Sequence, residues 1–368
     1  MKAIWKLAVI LAGFALIAAA CGSDDASTTT VGAGTETTAA ASETTAMSET
    51  TAMSETTAAA ETTTAATDAM EPIVIGLSLQ NQARSFFTGM VAGAQEKADE
   101  LGVDLRVVEA ADDSEKQTQD VADLIQAGVA GILLSPVDSA VAVSIADNAI
   151  QAGVPILAVA NQIGTVDEYG PQYVYPGTVA LVTNDDIDMG AKAAGFVKEL
   201  AAGNAVKIAI VSGSTGTANA TLRDKGFKDE LDALGVSYEI VAEQDGAWTN
   251  EQGEVVCQNL LQANPAGTLD IIFSHSDEMS AGCARALDSA DRVGDVSLVS
   301  IGGNEKGIGL LNDGLMVGTV CQKPGTMGAT AVETMYNAIT TGNMDQGLTF
   351  YETPVVTLDT LDLCVPQW

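Results

Sequence analysis

Residues 73–101 read IVIGLSLQNQARSFFTGMVAGAQEKADEL, and this stretch decides the fold. Ile73–Leu79 is a short apolar run rich in β-branched residues, which predicts a buried parallel strand. A polar loop, Gln80–Ser85, and two phenylalanines follow it. Apolar residues then recur at helical spacing up to Leu101, and the glycine after it supplies a left-handed stop. The unit is a strand, a loop and a helix, and small ligands bind beside such loops in open α/β sheets.

The same unit repeats along the chain. Apolar runs predict eleven strands, at 73–79, 105–110, 131–135, 155–160, 179–183, 207–212, 238–243, 271–275, 297–301, 316–321 and 354–358. Most of the intervening segments have helical periodicity, and four of the predicted helices end in LGV or AGV, which suits a glycine in the left-handed position. Since alternating strands and helices require right-handed crossovers, the predicted fold class is α/β with parallel sheets. Eleven strands fit two sheets better than one, with the seam near residues 183–185.

The first 70 residues differ from the rest in composition. Residues 1–20 combine two lysines with an apolar run that ends in three alanines before Cys21. This pattern predicts a secretory signal peptide, and its junction resembles a bacterial lipobox; an ordinary signal peptide and an uncleaved anchor are the alternatives. Residues 22–70 are almost only Ser, Thr, Ala, Glu, Gly and Met, which predicts a disordered tether. We therefore expect a protein held in the bacterial cell envelope, outside the cytoplasmic membrane, by a lipid on Cys21.

Charge and cysteine usage restrict the partners. With 49 acidic and 16 basic residues, the chain has a formal net charge of −33 at pH 7, which repels nucleic acid. Four cysteines remain after Cys21, and an even number in an exported protein suggests disulfides. We predict the pairs Cys257–Cys283 and Cys321–Cys364, with free buried thiols as the alternative. Because there is no CxxC motif and only one histidine, no metal or cofactor is expected.

Five segments carry a resemblance to a known family. They are NQARSFF at 81–87, VTNDDIDMGAKAAGF at 182–196, GTANATLRDKGF at 216–227, FSHSDEMSAGCARAL at 273–287 and TVCQKPGTMGA at 319–329. In this order they resemble the type I periplasmic sugar-binding proteins, the ribose-binding-protein-like solute-binding proteins of ABC importers. The resemblance implies two Rossmann-like lobes with parallel sheets joined by a three-strand hinge. The N-terminal lobe would be 71–183 with 323–353, and the C-terminal lobe 184–322 with 354–368.

The resemblance also implies a ligand site in the cleft between the lobes. Phe86 and Phe87 match an aromatic pair that stacks on one face of a sugar, and Trp248 falls where the other lobe presents an aromatic ring, although a lone tryptophan is also typical of core packing. Arg223 matches an arginine that donates two parallel hydrogen bonds to hydroxyls; its alternative is an arginine on a helix surface. The remaining matches are Asn81, Asp185, Asp277 and Gln322, and for Asp277 a helix cap is an equal alternative.

The departures from the family pattern concern the ligand. Ala160 and Asn161 stand where the family has an Asp-Arg pair, Gly302 replaces a second aspartate, and Ser276 replaces an asparagine. Two carboxylates that would accept hydroxyl protons are thus absent, which argues against ribose. The ligand is less hydroxylated, or it is bound through Asn161, His275, Ser276, Asn304 and the tyrosines of a long connection at 163–178. We expect that connection to be either a lid or wall of the cleft, or a surface loop that packs on its own aromatic rings.

Other functions would require sequence motifs of their own. An enzyme is disfavoured because there is no GxSxG, GxxxxGK[ST] or HExxH motif, and the single His275 is expected to be structural or to bind ligand. A transcriptional regulator would need a basic helix-turn-helix at the N-terminus. We predict a monomeric solute-binding lipoprotein that delivers a sugar or sugar-like ligand to an ABC permease. The alternative is a ligand-sensing lipoprotein that reports to a membrane receptor, for which the fold and pocket would be identical.

Overall fold

The computed structural model describes residues 72–368, which lie in one compact unit. The predicted signal segment, Cys21 and the tether fall outside the described residues. The strands are β1 Val74–Leu79, β2 Asp104–Glu109, β3 Gly131–Leu134, β4 Ile156–Val159, β5 Ala180–Val182, β6 Val206–Ser212, β7 Tyr238–Asp245, β8 Ile271–Ser274, β9 Ser297–Gly302, β10 Gly318–Cys321, β11 Gly347–Thr349 and β12 Val355–Val356. The helices are α1 Ser85–Leu101, α2 Ser114–Gln126, α3 Val141–Gln151, α4 Val166–Tyr169, α5 Asp186–Ala201, α6 Ala218–Ala233, α7 Asn250–Ala263, α8 Asp277–Ser289, α9 Glu305–Asn312 and α10 Pro324–Thr341, with a 3-10 helix at Leu358–Leu363. None of the helices described is both long and apolar enough to cross a membrane.

The strands form two sheets of six, in the orders β11-β5-β4-β3-β1-β2 and β12-β10-β9-β8-β6-β7. All neighbouring strands run parallel except β12, which is antiparallel to β10. The prediction of two α/β lobes with parallel sheets is confirmed. One strand was missed: β11 is only three residues long and half-exposed, so its hydrophobic pattern is weak. The two sheets have the same doubly wound strand order, and the lobes differ in topology only at one edge, where β11 is parallel and β12 antiparallel to its neighbour.

The chain passes between the two sheets three times, at 183–185, 322–323 and 350–354. These passages lie where the resemblance implies the hinge. The chain after the 3-10 helix contacts both lobes: the backbone oxygen of Trp368 accepts from the Glu305 N–H of α9 at 3.3 Å, and other contacts go to the first lobe. There the Gln367 side chain bonds Thr326 of α10, and the Trp368 ring contacts Phe86 of α1. Both helices belong to the first lobe.

Glycines end the predicted helices as expected. Gly102, Gly128, Gly153 and Gly235 all have positive φ values, between 62° and 75°. A left-handed residue at this position lets the last turn bond its carbonyls and redirects the chain toward the next strand. The repeated LGV and AGV segments therefore mark one turn used four times.

Each lobe is stabilised by two apolar clusters, one on each face of its sheet. On the first sheet, α1 and α10 cover one face and α2 and α3 the other; on the second sheet, α5 and α6 cover one face and α7, α8 and α9 the other. Two disulfides add to this framework and have the predicted pairing. Cys257–Cys283 joins α7 to α8, and Cys321–Cys364 joins the end of β10 to the residue after the 3-10 helix.

Helices α5 and α6 approach each other closely through glycines. A Cβ atom added to Gly190 of α5 would lie 2.2 Å from the carbonyl oxygen of Arg223, and one added to Gly226 of α6 would lie 2.0 Å from that of Ile187. Neither backbone oxygen can move without shifting a helix. This close contact fixes the position of α6 and, with it, of Arg223.

Replacing Gly190 by alanine should therefore destabilise the protein by roughly 1–3 kcal/mol, the usual cost of overpacking. Gly195, in the same helix, is a matched control, because no atom lies within 4 Å of its added Cβ. Gly195→Ala should stabilise by about 0.5–1 kcal/mol, since alanine favours the helix. Urea unfolding of both variants measures the difference, and equal effects of the two substitutions would contradict the close contact.

Candidate ligand-binding site

A cavity lies where the carboxyl ends of the two sheets face each other. Its volume is about 570 Å³, counting the solvent at its mouth. Gln80 and Asn161 enter it from the loops after β1 and β4, and Ser276 enters it from the loop after β8. In doubly wound sheets, the carboxyl ends next to the first strand form the crevice in which ligands bind. Because the two lobes share one strand order, each contributes this crevice to the same cavity.

The first lobe supplies aromatic rings from the start of α1. Phe86 packs edge-on against Phe87, with a distance of 5.4 Å between ring centroids. Phe87 is 5% exposed and belongs to the core under α1, whereas Phe86 is only half-buried. The ring of Trp368 packs edge-on against Phe86 from the other side, again at 5.4 Å. All three residues line the cavity, so this wall contains one more ring than the sequence predicts.

The second lobe supplies Trp248, which follows β7. Its backbone is left-handed, with φ of 59°, an unfavourable conformation for a bulky residue that is typical of functional sites. The indole ring lies directly on the backbone of Gly213, where an added Cβ would come within 1.8 Å of the ring. Any side chain at 213 would displace the ring, so Gly213 is a positioning residue for Trp248.

Arg223 lies beside Trp248 and is almost fully buried. Its Nε atom is 2.8 Å from Asp186 Oδ1, its Nη1 atom donates to the carbonyl oxygen of His275 at 2.5 Å, and its Cζ atom is 5.2 Å from the centre of the Trp248 ring. Burial raises the pKa of Asp186 to about 6, against the attraction of Arg223. These contacts hold the guanidinium plane fixed. No bond from Nη2 is found among the described residues, so this nitrogen is the one that remains for a ligand.

His275 is buried and does not line the cavity. Its Nδ1 atom accepts from the Gly213 N–H at 3.2 Å, so the proton lies on Nε2, which is 3.1 Å from Asp224 Oδ1. Burial lowers the pKa of the imidazole, although Asp224 opposes this shift. The ring is therefore neutral and structural, the first of the two roles expected for it. Within residues 72–368 no group of three or more His, Cys, Asp or Glu residues is placed to hold a metal ion.

Polar contacts join the two lobes across the cavity. The Ser85 hydroxyl of α1 donates to Glu278 Oε1 of α8 at 2.7 Å. The backbone N–H of Asn219 donates to Asn161 Oδ1 at 3.3 Å, and the N–H of Ser139 donates to the Gly216 carbonyl oxygen at the same distance. The lobes are thus in contact on both sides of the cavity, which is the closed arrangement.

The charged side chains of the cavity are each paired. Arg84 Nη2 is 3.0 Å from Asp112 Oδ2, and Glu278 Oε2 is 2.5 Å from Lys306 Nζ. Arg223 is paired with Asp186, as described above. Since each charge has a partner of opposite sign, the site presents no net charge to a ligand even though the protein is strongly acidic.

Seven of the ten residues that the sequence assigns to the ligand line the cavity: Phe86, Phe87, Asn161, Arg223, Trp248, Ser276 and Gln322. The structure does not bring Asn81, Asp185 or Asp277 to its wall. Asn81 instead donates to Asp112 Oδ2 at 2.8 Å and accepts from the Ala83 N–H, so it closes the surface loop after β1.

Both aspartates have structural partners. Asp185 is the N-cap of α5, where its Oδ1 accepts from the Asp188 N–H at 3.0 Å and from the Gln172 amide at 2.6 Å. Asp277 is fully buried, and burial raises its pKa. It accepts from the Gly303 N–H, just after β9, and from the Thr319 hydroxyl in β10, so it links these two neighbouring strands. The N-cap of α8 is Ser276, so Asp277 neither caps this helix nor lines the cavity, the two roles that the sequence predicts for it.

The cavity also contains residues that the sequence analysis missed: Gln80, Arg84, Ser85, Ala160, Asn184, Asn219, Glu278 and Trp368. Gln80, Arg84 and Ser85 belong to the loop after β1, which the strand–loop–helix pattern already marks as a ligand region. Asn219 and Glu278 lie within segments that carry the resemblance. Nothing in the sequence marks Trp368.

The long connection at 163–178 does not reach the cavity. Its three tyrosines pack on one another, with 5.1 Å between the centroids of Tyr169 and Tyr173 and 6.0 Å between those of Tyr169 and Tyr175. The Tyr175 hydroxyl donates to Asp147 at 2.9 Å. The tyrosines pack as the second alternative expects, but the connection also contacts the second lobe, because α4 lies against α6 and the Gln172 amide donates to Asp185 Oδ1 at 2.6 Å.

The buried His275 should make stability depend on pH. An unfolded histidine takes up a proton near pH 6.5, whereas burial lowers the pKa of His275 in the folded protein, so the contribution of His275 to the free energy of unfolding falls as the pH drops from 7.5 to 5.5, by up to about 1.4 kcal/mol per pH unit. The raised pKa of Asp186 acts in the opposite direction, but it does so in both the wild type and a His275 variant. His275→Gln removes this contribution and keeps an amide that can bond Gly213 and Asp224. Urea unfolding over this range should show the stability of the wild type falling relative to that of the variant as the pH drops, and parallel curves would contradict the assignment.

Comparisons with known proteins agree with this architecture. A family model described as the periplasmic binding protein domain matches residues 75–343. The ribose import binding protein of Bacillus subtilis (strain 168) is 31% identical over 260 residues, which cover 70% of this chain and 79% of that protein.

Solved structures share the fold. The Caulobacter myo-inositol binding protein bound to myo-inositol has a TM-score of 0.73 at 23% identity, covering 80% of this chain and 98% of that chain. The binding protein of the arabinose ABC transporter from Shewanella sp. ANA-3, bound to α- and β-L-arabinofuranose, has a TM-score of 0.71 at 25% identity, covering 79% and 93% of the two chains. The resemblance seen in the sequence is thereby confirmed, and this chain, with its two α/β lobes, belongs to the type I periplasmic binding protein family.

Proposed function

We propose that this protein captures a sugar or sugar-like ligand between its lobes and delivers it to an ABC importer. The observation that carries the proposal is the cavity at the facing carboxyl ends of the two sheets, where Phe86 and Trp248 come from opposite lobes. Flat aromatic rings suit the C–H faces of a sugar, and the polar residues between them suit its hydroxyls. The names of the relatives, which include ribose, myo-inositol and arabinose binding proteins, support this class of ligand.

The mechanism that follows is closure of the lobes around the ligand. A ligand that touches both walls gains contacts that exist only when the lobes are together, so it shifts the population toward the closed form. The closed form then docks on the permease. No chemical step is assigned to the protein, because its one histidine is held in the second lobe by Gly213 and Asp224 and lies away from the cavity wall.

Thermal unfolding in the presence of candidate ligands tests this function. The panel contains pentoses, hexoses, polyols, nucleosides and amino acids. A ligand at 100 times its dissociation constant adds about 2.7 kcal/mol to stability and raises the unfolding midpoint by several degrees. A response confined to sugars or polyols supports the proposal, and a response confined to nucleosides or amino acids contradicts it.

Trp248→Ala should weaken binding of the responding sugar at least about tenfold, equivalent to ~1.4 kcal/mol, because the ring forms one wall of the cavity. Calorimetric titration measures the dissociation constants. Val293→Ala is a control on the same lobe, since Val293 is exposed and does not line the cavity. Unchanged affinity in the Trp248 variant would show that the ligand binds elsewhere.

We also propose that the protein works as a monomer outside the cytoplasmic membrane, anchored by a lipid on Cys21. The basis for the anchor is the sequence of the first 21 residues, with its basic start, apolar run and three alanines before the cysteine. The periplasmic location of family members supports the compartment.

Cys21→Ser should abolish incorporation of labelled palmitate in cells and move the protein out of the membrane fraction, because the thiol that carries the lipid is lost. Ser23→Ala is the control and should leave both properties unchanged. A Cys21→Ser protein that still takes up palmitate would disprove the anchor.

A further inference from the structure

The segment 364–368 forms a further connection between the two lobes, beside the three hinge passages. Cys364 belongs to the second lobe, because it is buried in the apolar cluster that α7, α8 and α9 cover. Three residues further on, the Gln367 side chain bonds α10 in the first lobe. The backbone also keeps a contact with the second lobe, where the Trp368 backbone oxygen accepts from the Glu305 N–H at 3.3 Å. The segment is therefore held by both lobes at once.

This segment lies along the face of α1 that carries Phe86. A Cβ atom added to Gly89 would lie 2.6 Å from the Gln367 carbonyl oxygen and 2.9 Å from the Trp368 Cβ atom. Since residues three apart share one face of a helix, the close approach at Gly89 brings the Trp368 ring to Phe86. The two rings meet edge to face, with 5.4 Å between their centroids and 89° between their planes. The sequence of α1 thus provides both the space for this backbone and the surface for its ring.

The Trp368 ring is placed to contact a ligand. It lines the cavity and is partly exposed, so it does not serve the core alone. Its neighbour Phe86, which the proposed function assigns to the sugar, lies between it and Phe87. Because the Phe86 and Trp368 rings are perpendicular, they form a corner in the cavity wall. Flat aromatic surfaces suit the C–H faces of a sugar, and such a corner contacts it on two sides.

The Cys321–Cys364 disulfide restricts the position of Trp368. The four residues after Cys364 span at most about 14 Å, so the ring stays near the sulfur atoms. Both sulfurs pack against the loop after β9, since a Cβ atom added to Gly303 would lie 2.5 Å from Cys364 Sγ and 2.9 Å from Cys321 Sγ. The bonds between Gln367 and α10 are 3.1 Å long and exposed to water, so they contribute little by themselves. The disulfide is therefore the covalent restraint on a segment that is otherwise held by weak contacts.

We propose that Trp368 is a ligand-contacting residue of the cavity and that the Cys321–Cys364 disulfide positions it, so that this disulfide contributes to sugar affinity as well as to stability. The inference rests on the proposed function, because it concerns the same site. Without the bond, ordering the segment around a ligand costs conformational entropy that the disulfide removes in advance. The other disulfide, Cys257–Cys283, joins α7 to α8, and neither of its cysteines lines the cavity, so it contributes to stability alone.

Calorimetric titration measures the effect of Trp368. The probe is the tightest binder in a panel of sugars and polyols that contains D-ribose, L-arabinose, D-galactose and myo-inositol. Trp368→Ala should weaken its binding roughly three- to tenfold, as expected for an aromatic contact, whereas Trp368→Phe keeps a ring and should restore most of the affinity. Val365→Ala, in the same segment and 76% exposed, is the control and should leave the affinity unchanged.

Unchanged affinity in the Trp368→Ala protein overturns the inference and leaves the proposed function standing. If no sugar or polyol of the panel binds the wild-type protein, the inference and the proposed function are both overturned.

Intermolecular nuclear Overhauser effects distinguish a direct contact from an effect through Phe86. The indole protons of Trp368, assigned by their loss in the Trp368→Phe protein, should show such effects to the C–H protons of the bound sugar. Their absence in the saturated complex would limit Trp368 to supporting Phe86 and would overturn the ligand contact.

Removal of each disulfide tests the positioning. Replacing Cys321 and Cys364 by alanine should weaken sugar binding roughly three- to tenfold, whereas the matched replacement of Cys257 and Cys283 should leave the affinity unchanged, although both variants lose thermal stability. In a protein that already carries Trp368→Ala, removing the Cys321–Cys364 bond should weaken binding no further, because both changes act through the same ring. An equal loss of affinity with and without the Trp368 ring would show that the disulfide acts elsewhere, and it would overturn the positioning.

Pro366→Gly loosens the chain between Cys364 and Trp368 and keeps both disulfides, so it tests the positioning even where loss of a disulfide prevents folding. It should weaken sugar binding about two- to fivefold, because glycine adds conformational freedom that is lost when the ligand binds. Unchanged affinity in this variant would overturn the positioning.

Discussion

The buried pair of Arg223 and Asp186 is the interaction on which the second half of the site depends. Three elements meet there: α5 contributes Asp186, α6 contributes Arg223, and the end of β8 contributes the carbonyl oxygen of His275. Removing one member of a buried pair leaves an uncompensated charge and typically costs 3–5 kcal/mol. The pair therefore does more than bind α5 to α6. It also fixes the guanidinium beside Trp248, so the same contacts that stabilise the lobe build its ligand wall.

The arrangement around this pair shows how the fold sets the site geometry. The glycine contacts between α5 and α6 bring the two helices close enough for the pair to form. The shared strand order then places the start of α6 and the end of β8 at the edge that faces the first lobe. On the first lobe the equivalent edge carries α1 with Phe86. Each lobe thus forms one wall of the cavity in the same way, at the carboxyl ends of its parallel strands.

This explains which parts of the site could be predicted. Phe86 follows a strand with a clear apolar pattern, Arg223 lies in a segment that carries the resemblance, and Trp248 follows a predicted strand, so the sequence predicts that all three lie on the cavity wall, where the structure has them. Asp185 could not be distinguished from a ligand residue, because a carboxylate at the start of a helix satisfies the helix N–H groups whether or not a ligand is present. Trp368 could not be found at all. Its position depends on a disulfide to β10 and on contacts with α1 and α10, which are far away in sequence.

The balance of interactions across the cleft gives the ligand control over closure. The polar contacts that join the lobes beside the cavity include the bonds between Ser85 and Glu278, between Asn219 and Asn161, and between Ser139 and Gly216. Each such bond contributes about 0.5–1.5 kcal/mol net, because water replaces it when the lobes separate. A ligand that touches both walls adds contacts that exist only when the lobes are together, so recognition and closure are one event.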